Sequence, residues 1–326
     1  MSHALDRRLA IIFNPVAGRR RPGLVEQVMA AATDAGSVVA LHTTDAAGHA
    51  TSIARDLARS GTADVIVAAG GDGTINEVVN GMATAGMAEP PPLGVVPLGT
   101  ANVLAHELGL IGSPERIGRQ LALAPSRAVH AGVANGRLFT MMAGTGMDAR
   151  VVAGIDPVLK RRIGKGAYAL GGLREILAGP TLDYDVMLTA PDGTVSRHKA
   201  VSCILCKGHF YAGTFVLAPD VRLEQPVLHA VLFTRPGRLA ALTYATLMTL
   251  DLLAGRSDVL VRPVLSARIE GPTGEPVQGD GDIIARLPVD ISIWAGSLRV
   301  VGMGVNPPGA PPPSAVPPAR SGTDNQ

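Results

Sequence analysis

Residues 65–82 read VIVAAGGDGTINEVVNGM and carry the most informative pattern in the chain. The Val/Ile-rich run predicts a buried strand, and Gly70-Gly71 ends it because glycine tolerates backbone angles that other residues avoid. The apolar spacing that follows predicts a helix from Thr74 to Met82. A strand, a glycine turn and a helix start together present backbone N–H groups to an anion. Because Asp72 repels a bare phosphate, we expect it to work through a bound cation or a hydroxyl, which favours nucleoside triphosphate chemistry with a metal ion.

Composition allows a large core or two domains and gives no reason to expect a nucleic-acid partner. Hydrophobic residues make up 47% of the 326 residues, charged residues 17%, and the formal net charge is +2. Four of the 29 basic residues are lysines, and the first 159 residues contain none. Since the lysine-based P-loop pattern G-x-x-x-x-G-K-[S/T] is absent, a phosphate site in the N-terminal half must use backbone amides, arginine or metal.

The two cysteines and the apolar stretches point to the cytoplasm. Cys203 and Cys206 lie three apart in a predicted strand, where such residues face opposite sides, so we interpret them as reduced packing residues rather than a metal site. The stretch 239–254 comes nearest to a membrane span, but it contains Asp251 and several polar residues. With no signal-peptide pattern at residue 1 onward, we expect a cytoplasmic protein that associates peripherally with the inner face of the membrane.

The order of predicted elements changes near residue 128. Strand and helix patterns alternate before it, which predicts a mostly parallel sheet covered by helices; short strand-like runs follow it, including 128–134 and 138–143, and predict an antiparallel β domain. Helical patterns interrupt that second part near 158–177 and 238–253. We therefore predict an α/β domain at 1–128, a β-sandwich at 129–305 whose last strand can return to the first domain, and a disordered Pro-rich tail at 306–326.

Two further loops follow predicted strands of the first domain. The segment Leu98-Gly99-Thr100-Ala101-Asn102 opens a predicted helix with Thr100 as its cap, and Asn14–Gly18 follows the first strand. Ligands collect at the ends of parallel strands, so both loops can face the ligand of the Gly70 turn. Each loop alone is equally compatible with an ordinary capped helix or turn.

Two acidic motifs lie in the second part of the chain. Asp148 stands behind two glycines in Gly144-Thr145-Gly146-Met147-Asp148, and Asp280 and Asp282 flank a glycine. Asp-Gly is also a common hairpin turn, so the second motif on its own favours a turn.

In order and spacing, these motifs resemble the diacylglycerol kinase catalytic family, which includes bacterial lipid kinases and sphingosine and ceramide kinases. The resemblance covers about residues 8–303, whereas Gly-Gly-Asp-Gly-Thr alone also occurs in NAD kinases and phosphofructokinases. It implies an ATP-binding α/β domain of the NAD kinase/phosphofructokinase type, a β-sandwich that holds a lipid, and an active site in the cleft between the two domains.

The resemblance also implies roles for individual residues. Asp280 is expected to be the general base and Asp282 its partner acid, in a motif where the family has Asp-Gly-Glu. Asp148 and Glu77 are assigned to the substrate or to the surrounding polar network, and Asp72 to a catalytic Mg²⁺ through water. The residues expected around ATP are Asn14, Pro15, Val16, Ala17, Gly18, Thr44, Gly70, Gly71, Asp72, Gly73, Thr74, Ile75, Asn76, Gly99, Thr100 and Asn102.

Two positions depart from the family pattern. Val103 stands where many bacterial diacylglycerol kinases have aspartate, which is closer to the sphingosine and ceramide branch and leaves the acceptor lipid open. The family often holds a structural magnesium in the loop after an Ala-Pro turn, here near Arg222, Gln225 and Val227. Because Gln225 brings no charge and magnesium favours carboxylate oxygen, we expect that site to be weakened or missing.

The predicted function is transfer of the ATP γ-phosphate to a lipid hydroxyl, and two alternatives stay open. One is a kinase for a soluble substrate, as in NAD kinases, and the other is a catalytically silent nucleotide-binding regulator. The basic and apolar residues of 160–177 suit transient contact with an anionic membrane, and they suit a packed helix with a solvated basic start equally well. The sequence leaves oligomeric state open, a homodimer included.

Overall fold

A computed structural model describes residues 6–18, 21–155, 165–178, 182–250, 252–253 and 255–302. The helices are α1 (Pro15–Gly18), α2 (Leu24–Asp34), α3 (His49–Ser60), α4 (Asp72–Ala83), α5 (Val103–Glu107), α6 (Pro114–Leu123), α7 (Met147–Gly154), α8 (Lys165–Ala178) and α9 (Arg238–Thr249). The strands are β1 (Arg8–Phe13), β2 (Val38–Thr43), β3 (Val65–Gly70), β4 (Leu93–Pro97), β5 (Ser126–Val129), β6 (Gly132–Ala134), β7 (Arg137–Phe139), β8 (Met142–Thr145), β9 (Tyr184–Thr189), β10 (Val195–Ala200), β11 (Ser202–Cys206), β12 (Phe210–Tyr211), β13 (Phe215–Val216), β14 (Leu228–Phe233), β15 (Val259–Val264), β16 (Ser266–Glu270), β17 (Pro276–Gly279), β18 (Asp282–Arg286), β19 (Val289–Ile293) and β20 (Leu298–Val301).

The first domain is a mostly parallel sheet with helices on both faces. Its strand order is β2-β1-β3-β4-β20-β5, with parallel pairing from β2 to β20 and antiparallel pairing between β20 and β5. All six residues of β3 are buried, because alternate side chains pack against α2 and α6 on one face and against α3 and α4 on the other. This arrangement confirms the predicted α/β class.

The second domain is an antiparallel β-sandwich, as predicted. One sheet has the order β10-β9-β16-β19-β6-β7 and the other β15-β14-β11-β8-β17-β18. The inner faces pack around residues such as Phe139, Tyr184 and Leu232. Cys203 faces this core and Cys206 faces the opposite side of its sheet; both are buried and free, in agreement with the packing interpretation.

Two predicted strands are each divided between sheets, which corrects the sequence-based prediction. The run 128–134 contributes β5 to the first sheet and β6 to the sandwich, and the run 138–143 contributes to β7 and β8 in opposite sheets. The second break has a direct cause: the backbone N–H groups of Thr140 and Met141 donate to the carboxylate of Asp280. A continuous apolar run does not show where a chain changes sheets.

Two predicted helix starts also change. α4 begins at Asp72, two residues before the predicted start, and α5 begins at Val103 rather than Ala101. Thr100 is therefore not the cap of α5; Asn102 precedes the helix with a φ of 50°. α7 was not predicted. The start of the predicted helix near 158–177, up to residue 164, and the predicted tail at 306–326 lie outside the described residues. Within the described ranges, every helix is too short or too polar to cross a bilayer.

Candidate active site

The Gly70 turn connects β3 to α4 in a space that a side chain would fill. A Cβ at Gly70 would lie 2.4 Å from the Cβ of Thr74, so glycine is required for the turn to close. The side-chain amide of Asn14 donates to the Thr74 hydroxyl at 3.0 Å. The loop after β1 is thereby joined to the first turn of α4, whose N–H groups point away from the helix.

The two glycine loops, at Gly70 and Gly99, are in contact, and Asp72 joins them by hydrogen bonds. A Cβ at Gly99 would lie 2.6 Å from the Cα of Gly71. The Asp72 carboxylate accepts the backbone N–H groups of Asn102 at 3.0 Å and Val103 at 2.8 Å, and so caps α5 from a different element. Burial raises the pKa of Asp72 to about 6, these hydrogen bonds oppose the rise, and the nearby charge of Asp280 adds to it.

A cleft of about 1550 Å³ opens between the glycine loops and the sandwich. Ligand pockets are typically about 300–1,000 Å³, so this one has room for more than one small molecule. The structure places many of the predicted residues around it, namely Asn14, Pro15, Val16, Ala17, Thr44, Gly71, Asp72, Gly73, Thr74, Ile75, Glu77, Gly99, Thr100, Asp148, Asp280 and Asp282. Residues remote in sequence, such as Asp72 and Asp280, therefore share one cavity.

The remaining predicted residues do not line the cleft. Gly18, Gly70, Asn76 and Asn102 do not line the cleft, and Asn76 and Asn102 are buried. The three positions assigned to a structural magnesium, Arg222, Gln225 and Val227, do not line it either.

Asp280 holds the two domains together in this structure. It lies in the turn of the β17–β18 hairpin with a φ of 52°. Its Oδ1 accepts the N–H groups of Met141 and Met142 at 2.9 and 3.2 Å, and its Oδ2 accepts the N–H and hydroxyl of Thr140 at 2.7 and 3.0 Å. The side-chain amide of Asn76 donates to the same Oδ2 at 3.2 Å, which joins α4 to the hairpin. Burial raises the pKa of Asp280, while these hydrogen bonds act in the opposite direction.

Asp282 differs from Asp280 in its surroundings. Its side chain is exposed, and its Oδ2 would lie 2.6 Å from a Cβ at Gly73. The carboxylate therefore stands beside the N-terminal turn of α4, where a cation bound with phosphate oxygens would be within its reach. Asp72, in contrast, has both oxygens on backbone N–H groups, so its contact with a metal would run through water.

Asp148 lies where the polar part of the cleft meets its apolar part. Its Oδ2 accepts the side-chain amide of Gln278 at 2.7 Å, and the Tyr211 hydroxyl is a second partner of the carboxylate. Its Oδ1 is buried and has no hydrogen-bond partner in the part of the chain that the structure describes. Burial raises the pKa of Asp148 to about 6. A buried oxygen of this kind is ready to accept a hydrogen bond from a ligand.

An apolar pocket of about 120 Å³ continues from this point between α7, α8, α9 and the sandwich. Its walls include Ile176, Leu217, Phe233 and Met248, and it shares Asp148 with the main cleft. At its rim Arg150 bonds Glu175 of α8 at 2.5 Å and Glu275 at 2.9 Å, which fixes α8 over the pocket.

Sequence reasoning missed several residues of this site. The Thr140–Met142 backbone, Tyr211 and Gln278 all contact predicted carboxylates. Gln278 was detectable, since it precedes Asp280 by two residues in a strand that runs into the motif. Nothing in the sequence marks the backbone of residues 140–142. Glu77, assigned to the substrate or network, accepts the N–H of Gly48 at 3.0 Å and so fixes the start of α3.

Both domains match known families, and one relative decides the family of the chain. The diacylglycerol kinase catalytic domain matches residues 8–134, and the YegS C-terminal NAD kinase beta sandwich-like domain matches residues 141–302. A diacylglycerol kinase of Bacillus subtilis (strain 168) is 30% identical over 243 residues, which span 74% of this chain and 78% of that protein. The chain belongs to the diacylglycerol kinase catalytic family. This confirms the resemblance seen in the motifs.

Other members of the diacylglycerol kinase family carry two kinds of name. A Chromohalobacter salexigens protein named "Probable lipid kinase YegS-like" is 35% identical over 209 residues, which span 64% of this chain and 66% of that protein. The crystal structure of a diacylglycerol kinase from Bacillus anthracis superposes with a TM-score of 0.73, covers 91% of this chain and 97% of that one, and is 24% identical. The superposition supports the two-domain fold, and the names leave the acceptor lipid undetermined.

Proposed function

We propose that this family member transfers the γ-phosphoryl group of ATP to a hydroxyl of a lipid. The observation that carries the proposal is a single cleft with glycine loops at one end, an apolar pocket at the other, and Asp148 at the junction. A soluble acceptor would gain nothing from the apolar end, because hydrophobic stabilisation scales with the apolar area removed from water.

The glycine loops suit a magnesium-loaded nucleotide. The contact between Gly71 and Gly99 leaves no room for a side chain at Gly99, so the backbone of both loops stays bare, and the first turn of α4 supplies donors. ATP with Mg²⁺ supplies the reactive phosphoryl group and neutralises its charge, while alignment falls to the protein. In this scheme Asp282 faces the cation and Asp72 keeps the two loops in register.

The acceptor hydroxyl is placed by the carboxylates of the second domain. Asp148 Oδ1 accepts its hydrogen bond, and Asp280 remains our proposed base. Five donors surround Asp280, so it must exchange one of them for the hydroxyl; the side chains of Thr140 and Asn76 can rotate away, whereas the three backbone N–H groups cannot. General-base assistance of this kind is typically worth about 10²–10⁴ in rate.

A face of α9 gives the enzyme access to lipid in a membrane. Leu239, Leu242 and Leu250 follow helical spacing and are 82%, 50% and 58% exposed. The hydroxyls of Thr243 and Thr246 donate to helix carbonyls at 2.8 and 2.9 Å, which leaves their methyl groups outward. The face is therefore apolar without unpaired polar groups.

Charge and position favour an anionic bilayer as the partner of this face. Arg235 and Arg238 stand exposed at its N-terminal end and also line the apolar pocket. On its other side α9 lines the main cleft through Ala245 and Met248. Each basic residue near an anionic surface contributes about 1 kcal/mol.

Labelled ATP and a mixed lipid extract test the proposed reaction. An organic-soluble labelled product is the expected result. An aqueous product would identify a soluble-substrate kinase, and ATP binding without product would identify a regulator; either outcome would reject the proposal. The Asp34→Asn variant serves as the control for carboxylate substitutions, since Asp34 is exposed at the end of α2.

Vesicle sedimentation tests the membrane face separately. Wild type should sediment more with anionic than with neutral vesicles, and Leu239→Glu with Leu242→Glu should lower the bound fraction at least tenfold. Leu123→Glu is the matched control, because Leu123 is 56% exposed on α6 of the other domain. Equal sedimentation of the double variant and wild type would remove α9 from the docking surface.

A further inference from the structure

Lys207 is a fully buried lysine that the proposed reaction does not use. It follows β11, and its relative exposure is 0%. Lysine is almost never fully buried unless its charge is paired, because an ammonium loses its hydration there. Its Nζ donates to the backbone carbonyl of Arg222 at 2.6 Å, and its own N–H donates to the carbonyl of Met141 at 2.7 Å.

Charged and titratable groups from three sides face this ammonium. Burial lowers the pKa of Lys207 to about 8, and the charges of Glu224 in the 218–227 loop and Glu107 of α5 oppose this by stabilising the charged lysine. Glu224 is in turn bonded to Arg127 of β5 at 2.5 Å. His130 and His229 also lie near, and burial followed by the charge of Lys207 lowers the pKa of His130.

The 218–227 loop is where the family resemblance places a structural magnesium, and its donors do not fit that ion. The Arg222 carbonyl accepts both Lys207 Nζ and, at 3.3 Å, the N–H of Gln225. The guanidinium of Arg222 bonds the carbonyls of Pro219 and Val221, each at 2.7 Å. Magnesium requires near-octahedral oxygen ligands and favours carboxylates, whereas these carbonyls are already bound to cationic side chains.

The acidic, cysteine and histidine side chains are likewise not arranged as metal ligands in the part of the chain that the structure describes. Across the described residues, no group of three or more His, Cys, Asp or Glu side chains is arranged to hold a metal ion. Gln225, at the position where the family often has aspartate, offers no charge.

We infer that the ammonium of Lys207 replaces the structural magnesium in the 218–227 loop. The lysine supplies an internal cation that binds the Arg222 carbonyl and balances Glu107 and Glu224. The loop is also bound to the segment between β5 and β6, because the loop carbonyl of Leu223 accepts the N–H of His130. The nucleotide-bound magnesium of the active site is a separate ion, so the inference does not rest on the proposed reaction.

Metal removal from the full-length protein without nucleotide tests the inference. Wild type should keep the same Tm in EDTA and in millimolar MgCl₂, and dialysed protein should contain well under one equivalent of magnesium by mass spectrometry. A Tm that falls in EDTA and recovers with magnesium, or a stoichiometric metal that survives dialysis, would overturn it. These two measurements decide the question even if substitution of Lys207 prevents folding.

Substitution tests the position itself. Lys207→Met keeps the side-chain volume and leaves the Glu107 carboxylate and the Arg222 carbonyl without their cation, so the Tm should fall by on the order of 5–10 °C. Lys199→Met is the matched control; Lys199 pairs with Asp185 on the surface, and its loss should shift the Tm by about 1 °C or less. Equal shifts in the two variants would overturn the inference.

A double variant tests whether the ammonium of Lys207 and a magnesium ion occupy the same position. Lys207→Met with Gln225→Asp removes the ammonium and supplies a carboxylate, so magnesium should raise its Tm by several degrees while leaving Lys207→Met alone unchanged. If magnesium leaves the Tm of the double variant unchanged, the claim that the ammonium occupies the position of the ion is contradicted.

Discussion

Replacing Asp148 with asparagine should stabilise the protein and impair its reaction at the same time. Burial raises the pKa of Asp148 from 3.8 to about 6. At a pH above both the unfolded and the folded pKa, the charged carboxylate therefore lowers the unfolding free energy by at most about 3 kcal/mol. Asparagine removes the charge and keeps an oxygen for the amide of Gln278, which now donates at 2.7 Å. Allowing about 1 kcal/mol for a weaker hydrogen bond, the net gain is about 1–2 kcal/mol at pH 8.

The sign of the pH dependence separates this effect from general repacking. A group whose pKa is raised by folding contributes stability that is present below its unfolded pKa and lost as the pH rises through the folded value. The advantage of Asp148→Asn should therefore be largest at pH 8, shrink through pH 6, and vanish near pH 4. In thermal melts the expected shift at pH 8 is about 2–5 °C.

The same variant should lose lipid phosphorylation. A hydrogen bond to a charged group contributes about 1.5–3 kcal/mol, so kcat/KM should fall about 10- to 100-fold. Thermal melts at pH 8 and pH 5 measure the change in stability, with Asp34→Asn as the control. Initial rates with labelled ATP measure the change in activity. If Asp148→Asn is less stable than wild type by the same amount at both pH values, Asp148 is a structural acceptor and its role at the junction is refuted.

Three other substitutions separate effects on stability, activity and nucleotide binding. Asp280→Asn places an amide against the N–H groups that now donate to the carboxylate, so both the unfolding free energy, by about 2–5 kcal/mol, and the activity should fall. Asp282→Asn should reduce activity alone, because Asp282 is exposed. Chemical denaturation of both variants checks this, and an unchanged denaturation midpoint for Asp280→Asn would contradict it. Gly99→Ala would place a Cβ 2.6 Å from the Cα of Gly71 and should weaken nucleotide binding at least tenfold by titration calorimetry. The control Gly154→Ala, with nothing within 4 Å and outside the cleft, should bind as wild type does. Equal affinities of Gly99→Ala and wild type would contradict the expectation that this contact between the glycine loops is required.

Local patterns in the sequence located the central strand of the first domain and the helix that follows it. The strand and glycine turn at 65–71 and the helix after them depend on residues that are neighbours in the chain, so periodicity and glycine spacing located them. The start of α4 was placed two residues late because Asp72 looks like a turn residue until its carboxylate is seen capping α5. Propensity cannot show a cap supplied by another element.

Contacts between remote segments lay beyond such patterns. Asn76 and Asp280 meet across 204 positions, and only the assembled domains show that Asp280 is surrounded by donors. The motif indicated that this aspartate matters without indicating what it contacts. Lys207 gave no signal at all, since a single lysine after a strand is ordinarily a surface residue and its burial follows from the packing of three segments.

The carboxylates of the cleft fall into two kinds, and the difference indicates where the ligand belongs. Asp72 and Asp280 use their oxygens on backbone N–H groups, so part of the cost of burying them is offset by the loops they hold. Asp148 is also buried and has a raised pKa, yet one of its oxygens has no partner among the described residues. Buried polar atoms are ordinarily paired, so the unpaired oxygen of Asp148, whose charge lowers stability, is explained if a bound ligand supplies the partner. Asp148 lines both the main cleft and the apolar pocket, and under the proposed function a lipid hydroxyl is the donor that would pair with its free oxygen.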